Sequence, residues 1–322
     1  MKSSELHITR DDFISTYTKG LEHVHLYNQV NVLKQKGLNS TEIYERLAEQ
    51  YTYPQVKGKY QSINEGKKPQ ALHAAEQLEE LKLLPMGIHR VKFPALNLLA
   101  SQIFWRGVQS PFGRNQVTSR VNIMEPEQLE LVEAILDGLG CTYNTKPSRL
   151  RDDGSASTIV DVDQRVGRLI SLMGFQVGAK SHSDFIMPTY LEEALVELNV
   201  EDLADRDRVR LFEMVHDFAS TLLHFRAKFK EGASRSRTEY TAHLISYQSE
   251  ESAIEQTELT KELLEATHPD LFSSCHVYQH SETKTYYGKI RLKTDREKYK
   301  HVVRNYRKRV QSVVGDIHHL CA

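Results

Sequence analysis

Eleven basic residues crowd the stretch from Lys284 to Arg309, against two acids, Asp295 and Glu297, in a chain whose formal net charge is −1. Within it, Lys289-Ile290-Arg291-Leu292-Lys293 alternates cation with aliphatic. A strand turns successive side chains to opposite faces. The alternation therefore predicts Ile290 and Leu292 in a core, with three cations in a row on the open face. Such a row suits a phosphate backbone, whose condensed counterions it displaces. A second alternating run, Thr221–Lys230, predicts a strand with Leu223, Phe225, Ala227 and Phe229 on one face and His224, Arg226, Lys228 and Lys230 on the other. Between Glu192 and Asp207 the balance reverses, with seven acids around Arg206, and this stretch reads as a solvated face.

Composition sets the outer bounds. A chain of 322 residues suits two or three domains. Lys+Arg (42) and Asp+Glu (43) nearly cancel, which excludes a uniformly basic coat, and 15 Tyr with 11 Phe argue against a disordered polyampholyte. Cys141, Cys275 and Cys321 are far apart and outside any CxxC spacing, so a disulfide framework and a thiolate zinc site are both disfavoured, as in a reducing cytosol. Cys141 and Cys275 read as small core residues, and His318-His319 with Cys321 as the end of a terminal helix rather than a metal site. Met1–Arg10 lacks the apolar core of a signal peptide, and no run of about 18 apolar residues occurs. The expectation is a soluble, cytoplasmic, nucleoid-associated protein with no membrane partner.

The elements that must position these residues begin with a helical module. Leu26–Lys36 carries Val30 and Leu33 and stops at Gly37. Asn39-Ser40-Thr41-Glu42 has the residue types of a helix cap, and the helix from Thr41 to about Tyr51 sets Ile43, Leu47 and Tyr51 on one stripe. After Pro54, Gln55 to about Asn64 predicts a third helix with Val56, Tyr60 and Ile63 inward and Lys57, Lys59, Gln61 and Ser62 outward. Lys67 and Lys68 follow in a basic exit, and Ala71–Leu84 adds one more amphipathic helix before a linker at Pro85-Met86-Gly87. Helix, turn and polar-faced helix resemble a helix-turn-helix of the resolvase or sigma-factor type. The alternative is an ordinary three-helix bundle without nucleic acid.

Farther along, Leu98–Gly107 contains Leu99-Ala100-Ser101-Gln102-Ile103-Phe104-Trp105-Arg106-Gly107. It resembles the motif of the LAGLIDADG homing endonucleases, keeping its Leu, Ala, Ile and terminal Gly. A hairpin (Val108–Phe112, Gln116–Met124), a helix (Glu127–Leu139), a second hairpin (Cys141–Lys146, Thr158–Val162) and a helix (Asp163–Met173) follow in that family's order. The order recurs with Leu211–Ser220 as motif helix, Thr221–Lys230 and Tyr240–Gln248 as strands, Ser252–Ala266 as helix, Phe272–His280 with Lys284–Lys293 as hairpin, and a last helix capped at Thr294–Glu297 and ending near Val314. The resemblance implies an α+β fold: a helical helix-turn-helix domain (1–88), then two αββαββα repeats (89–200 and 201–322). It further implies motif helices paired about a pseudo-twofold axis in a monomer, beneath antiparallel sheets that form a saddle on DNA.

Active members of that family hold divalent metal on an acid at the eighth motif position of each repeat, and the metal generates the nucleophile. The residues read into those positions are Arg106 and Phe218, neither of which ligates a cation, with Asp217 one step away as the fallback acid. Trp105 reads as interhelix packing. The expectation is no catalytic residue and no cofactor, Mg2+ entering only if the second motif is shifted. The resemblance then implies a sequence-specific double-stranded DNA-binding protein, most simply a transcriptional regulator. The WhiA regulators, which join a degenerate LAGLIDADG domain to a helix-turn-helix in the reverse order, offer the analogy. DNA contacts are expected from Lys57, Lys59, Gln61, Ser62, Lys67 and Lys68; from Arg114 and Arg120; from His224, Arg226, Lys228 and Lys230; and from Lys289, Arg291 and Lys293. The alternatives are a metal-dependent homing endonuclease and an intron RNA maturase.

Overall fold

The computed structural model describes residues 6–48, 62–112, 116–150, 156–175, 186–231, 238–247, 249–292 and 296–321. They divide into two compact units, Ile8–Pro85 and, in the main, Met86–Ala322.

The smaller unit is helical: α1 (Arg10–Ser15), α2 (Gly20–Gln35), α3 (Ser40–Ala48) and α4 (Gln70–Glu80). Its core joins Leu26 and Val30 of α2, Ile43 and Leu47 of α3, and Ile63, the stripes read from the sequence. Asn39 closes a capping box on α3: its Oδ1 accepts from the backbone N–H groups of Thr41 (3.0 Å) and Glu42 (3.1 Å), and the Glu42 carboxylate accepts from the Asn39 N–H at 2.7 Å. Helix α2 begins at Gly20 rather than Leu26, because its first turns are mostly half-exposed and carry no apolar stripe to announce them. Helix α4 stops at Glu80, short of Leu84, where Lys82 turns left-handed (φ 57°). The third helix read at Gln55–Asn64 lies outside the described residues as far as Gln61, and Ser62–Asn64 are helical.

The larger unit repeats one order of elements. The first pass is α5 (Phe93–Arg106), β1 (Gly107–Phe112), β2 (Gln116–Ile123), α6 (Pro126–Leu139), β3 (Tyr143–Leu150), β4 (Ala156–Val162) and α7 (Gln164–Leu172). After α8 (Thr189–Leu198) comes α9 (Asp205–Arg226), β5 (Ala227–Glu231), β6 (Thr238–Tyr247), α10 (Glu250–Thr267), β7 (Phe272–Gln279), β8 (Tyr286–Leu292) and α11 (Arg296–Cys321). Each pass builds a four-stranded antiparallel sheet with the same strand order, β1-β2-β4-β3 and β5-β6-β8-β7. The fold is α+β, with helices α5 and α9 packed on each other.

One element departs from the sequence reading. The alternation of Thr221–Lys230 predicts a strand, but α9 runs through Arg226 and the strand starts only at Ala227. Every residue from Phe218 to Phe225 is buried. A helix end enclosed on all sides loses its 3.6-residue stripe, and the apolar spacing of Leu223 and Phe225 then imitates a strand. The same holds in α5, where every residue from Ala95 to Trp105 is buried. The hairpin that follows α5 sits very close to it. A Cβ on Gly107 would lie 1.9 Å from the Arg120 carbonyl oxygen, so the terminal Gly of the motif is there for backbone approach.

Candidate nucleic-acid interface

The true end of α9 resets the register of the second repeat. Helix α5 ends Trp105-Arg106 and passes directly into β1; α9 ends Phe225-Arg226 and passes directly into β5. One turn earlier the match continues: Ser101 Oγ donates to the Asn97 carbonyl at 2.6 Å, and Thr221 Oγ1 donates to the Asp217 carbonyl at 2.7 Å. The counterpart of Arg106 is therefore Arg226, not Phe218. The recurring hydroxyl, aromatic and arginine, Ser101/Trp105/Arg106 and Thr221/Phe225/Arg226, was the sequence signal that fixes this register. Neither helix ends in a carboxylate, and a guanidinium offers no lone pair to a cation. Arg106 and Arg226 themselves therefore supply no ligand for the divalent metal that the resemblance implies.

Phe218 belongs to the helix interface instead. It is fully buried, with ring centroids 5.0 Å from Trp105 and 5.1 Å from Phe104. Three hydrogen bonds tie α5 to carbonyls of α9: Asn97 Nδ2 to Met214 (3.1 Å), Trp105 Nε1 to Phe218 (3.1 Å) and Arg106 Nε to Phe225 (2.7 Å). The last puts a cation on a C-terminal carbonyl of α9, where the helix dipole favours it.

Asp217, the fallback acid, is 1% exposed and lies nine residues before Arg226, about 13 Å along the helix at 1.5 Å per residue. Arg309 clasps it bidentately, Nε to Oδ1 at 2.9 Å and Nη2 to Oδ2 at 3.0 Å, and also reaches Glu213 at 3.2 Å. Burial pushes the Asp217 carboxyl up to about 6 while the Arg309 hydrogen bonds pull it down. It is committed to an ion pair inside the molecule.

His224, expected on an open face, is 9% exposed and stacks on Tyr306 at 4.8 Å. Both its ring nitrogens lack a hydrogen-bond partner among the described residues, and burial lowers it to about 4. A ring so enclosed does not reach a ligand at the surface, because it belongs to a helix and not to a strand face. Its depressed pKa has a consequence for stability. The neutral folded ring contributes fully above about pH 6.5 and loses its contribution as pH falls toward 4. We expect His224→Phe to match the parent at about pH 7.5, since an apolar ring leaves no nitrogen unsatisfied. At about pH 5 it should lose less stability than the parent by on the order of 1–2 kcal/mol, read from urea midpoints. Asp217, which shifts the opposite way, and His268, lowered to about 4 by burial, are common to both proteins and drop out of the comparison.

The alternating strand is β8. Ile290 and Leu292 are buried, Arg291 between them is exposed, and Lys289 just before them is half-buried. Register carries this face across the whole second sheet: Lys228 of β5 stands opposite Thr241, Thr241 opposite Arg291, and Arg291 opposite Ser274. Lys289 stands between His243 and His276. Next along the face, Tyr278 and Tyr287 stack at 5.7 Å. Basic, imidazole and aromatic positions thus share one sheet face.

The first sheet differs. Arg120 Nε donates to Asp161 Oδ1 at 2.7 Å, and Lys146 pairs with the other oxygen of the same carboxylate. Arg120 is partly neutralised where it stands. So is much of the basic run beyond β8: Lys300 pairs with Glu297 at 2.8 Å, Arg307 with Glu127, and Arg309 with Asp217. In the helical unit Lys67 pairs with Glu65 (3.2 Å) and Lys68 with Glu76 (2.8 Å), and Ser62 is half-buried. Lys57, Lys59, Gln61, Arg114 and Lys293 lie outside the described residues, and of Arg226, Lys228 and Lys230 only the backbone is described. Burial pushes the Cys141 thiol up to about 12, which removes its thiolate chemistry. Among the described residues no helix is long and apolar enough to cross a membrane, and no group of three His, Cys, Asp or Glu is placed to hold a metal.

No family model and no curated protein matches the chain. Among solved structures it is similar to I-DmoI in complex with DNA and manganese (10% identity, 66% of this chain and 97% of that one, TM-score 0.35). It is similar also to the homing endonuclease I-WcaI bound to its DNA recognition sequence (12% identity, 74% and 89%, TM-score 0.40). A third is full-length DUF199/WhiA from Thermatoga maritima (10% identity, 75% and 65%, TM-score 0.37). At such scores the α+β assignment rests on the chain's own strand order, and the LAGLIDADG endonucleases and WhiA, both met in the sequence, stand among the structures it resembles.

Proposed function

We propose that the larger unit binds double-stranded DNA without cutting it, and that the protein acts as a sequence-specific regulator. The observation that carries binding is the second sheet, where Lys289 and Arg291 share a face while Ile290 and Leu292 close the core beneath. Cations held on a sheet face above a rigid core grip phosphates without a folding cost at the moment of contact. Supporting the reading, I-DmoI and I-WcaI are seen with DNA.

The reset register supports the proposed absence of cleavage. Hydrolysis in the family that the chain resembles requires metal between the two motif helices, and both helices end in arginine here, at Arg106 and Arg226. Arginine supplies no ligand to a divalent cation, and its chemistry favours a phosphate. Arg106 is also spent in part on the Phe225 carbonyl, so it stiffens the helix pair as well. The helical unit would add sequence preference through Lys57, Lys59, Gln61 and Ser62. Selection of bound sites from random duplex DNA, with and without magnesium, tests the reading. A recovered consensus that is the same in both conditions supports a binder, and failure to enrich any sequence contradicts it.

A further inference from the structure

Arg90 stands as far before Arg106 as Arg210 does before Arg226, so aligning the repeats on their terminal arginines pairs these two residues as well. Both line one cavity of about 230 Å³. Two more matched pairs, Pro94 with Met214 and Asn97 with Asp217, line it too. The cavity is thus built from the equivalent stretch of each repeat, at the start of α5 and early in α9, and α11 closes it with Arg309, Asp316 and Leu320. It lies away from the helix ends of the DNA reading, since Arg210 precedes Arg226 by about 24 Å of helix at 1.5 Å per residue.

Most of the polar groups around this cavity already have partners. Asn97 Nδ2 donates to the Met214 carbonyl at 3.1 Å, and Asn97 Oδ1 accepts from the Tyr190 hydroxyl at 2.7 Å. Arg309 holds both Asp217 and Glu213. Three charges remain. Arg90 sits on a turn closed by its own N–H on the Gly87 carbonyl (2.9 Å), and no described residue pairs with its exposed guanidinium. Arg210 meets His89 Nδ1. A guanidinium only donates, so that nitrogen accepts through its lone pair, and an imidazole accepting there brings no negative charge to Arg210. Asp316, exposed on α11, has no cation paired with it among the described residues.

Two cations from matched positions and one acid from a third element face a small space. A guanidinium forks onto a carboxylate, and a carboxylate takes an ammonium. An occupant that answers all three charges carries both groups and is neutral overall. Its remaining surface is apolar, because Phe93 lies in the wall and Val91 and Leu320, 40% and 68% exposed, stand at the rim. The volume is below the roughly 300–1,000 Å³ of drug-sized sites, which leaves out a nucleotide or a peptide. We propose that this cavity binds an α-amino acid with an apolar side chain. Its carboxylate is held by Arg90 and Arg210, its ammonium by Asp316, and its side chain lies against Val91, Phe93 and Leu320. The inference stands apart from DNA binding.

Isothermal titration of the full chain at about pH 7.5, without DNA, tests it with L-leucine and its two halves: isocaproate, which lacks the amino group, and isoamylamine, which lacks the carboxylate. Leucine is expected to bind at least roughly ten-fold tighter than either, because each half forfeits one charge-assisted contact. Glycine, with both charges and no side chain, should also bind more weakly than leucine. Arg90→Ala should weaken leucine by roughly ten-fold and narrow its lead over isoamylamine, whereas Asp316→Asn should narrow its lead over isocaproate. A merely structural loss would lower all three ligands alike. Both side chains are exposed, so the melting temperature should not move. Isocaproate binding as tightly as leucine, folded Arg90→Ala binding leucine like the parent, or no heat at millimolar leucine would each overturn the proposal. If Arg90→Ala fails to fold, Asp316→Asn and the leucine-to-isocaproate ratio of the parent decide it.

Discussion

Phe218→Ala is expected to destabilise the larger unit by about 3–5 kcal/mol, the cost of emptying a fully buried aromatic site. Phe218→Asp should be worse and prevent folding, because a carboxylate would then be enclosed by Phe104 and Trp105 with no cation to meet it. The pair discriminates between two registers. Were Phe218 the degenerate eighth residue of the motif, an aspartate there would restore the family's acid near the groove and be tolerated. Because α9 continues to Arg226, the position lies in the middle of the helix pair instead. Chemical denaturation of the two variants beside the parent checks this, and near-parental stability of Phe218→Asp would contradict it.

The second large effect concerns affinity. Changing both Lys289 and Arg291 to alanine should lower the slope of log Kobs against log salt by roughly two, near 0.9 for each phosphate no longer neutralised, and weaken binding by roughly ten-fold or more at about 0.1 M salt. Stability should move by no more than about 0.5 kcal/mol, since neither side chain is in the core while Ile290 and Leu292 keep it closed. Arg120→Ala, at a guanidinium that pairs with Asp161, serves as the comparison on the first sheet. Salt titrations by fluorescence anisotropy measure all three, and an unchanged slope in the double variant would remove the second sheet from the interface.

What the sequence made legible follows from where each residue sits. The strand Tyr286–Leu292 has one wet face and one dry face, so its alternation was plain and correctly assigned Ile290 and Leu292 to the core. The capping box at Asn39 and the stripe of Ile43 and Leu47 are local patterns and were read directly. The end of α9 was not legible, because burial on every side erased the stripe and left a chance alternation in its place. That error moved the second motif by eight residues and turned His224 from a buried ring into a surface ligand. Charge also misled in part. The basic run from Lys284 counted cations without their partners, and Arg307 and Arg309 are answered by Glu127 and Asp217, which are remote in the chain. The cavity between Arg90 and Arg210 was silent for the same reason: they come to one cavity only when α5 and α9 pack, and only the alignment on Arg106 and Arg226 pairs them.

The most direct test is the fate of a bound duplex in the presence of magnesium. A DNA carrying the selected sequence, labelled on both strands, is incubated with the protein and magnesium and then run on native and denaturing gels. With Arg106 and Arg226 at the two helix ends, the duplex is expected to be shifted on the native gel and both strands to be full length on the denaturing one. Scission of either strand at a fixed position, abolished by chelating the metal, would contradict binding without cleavage.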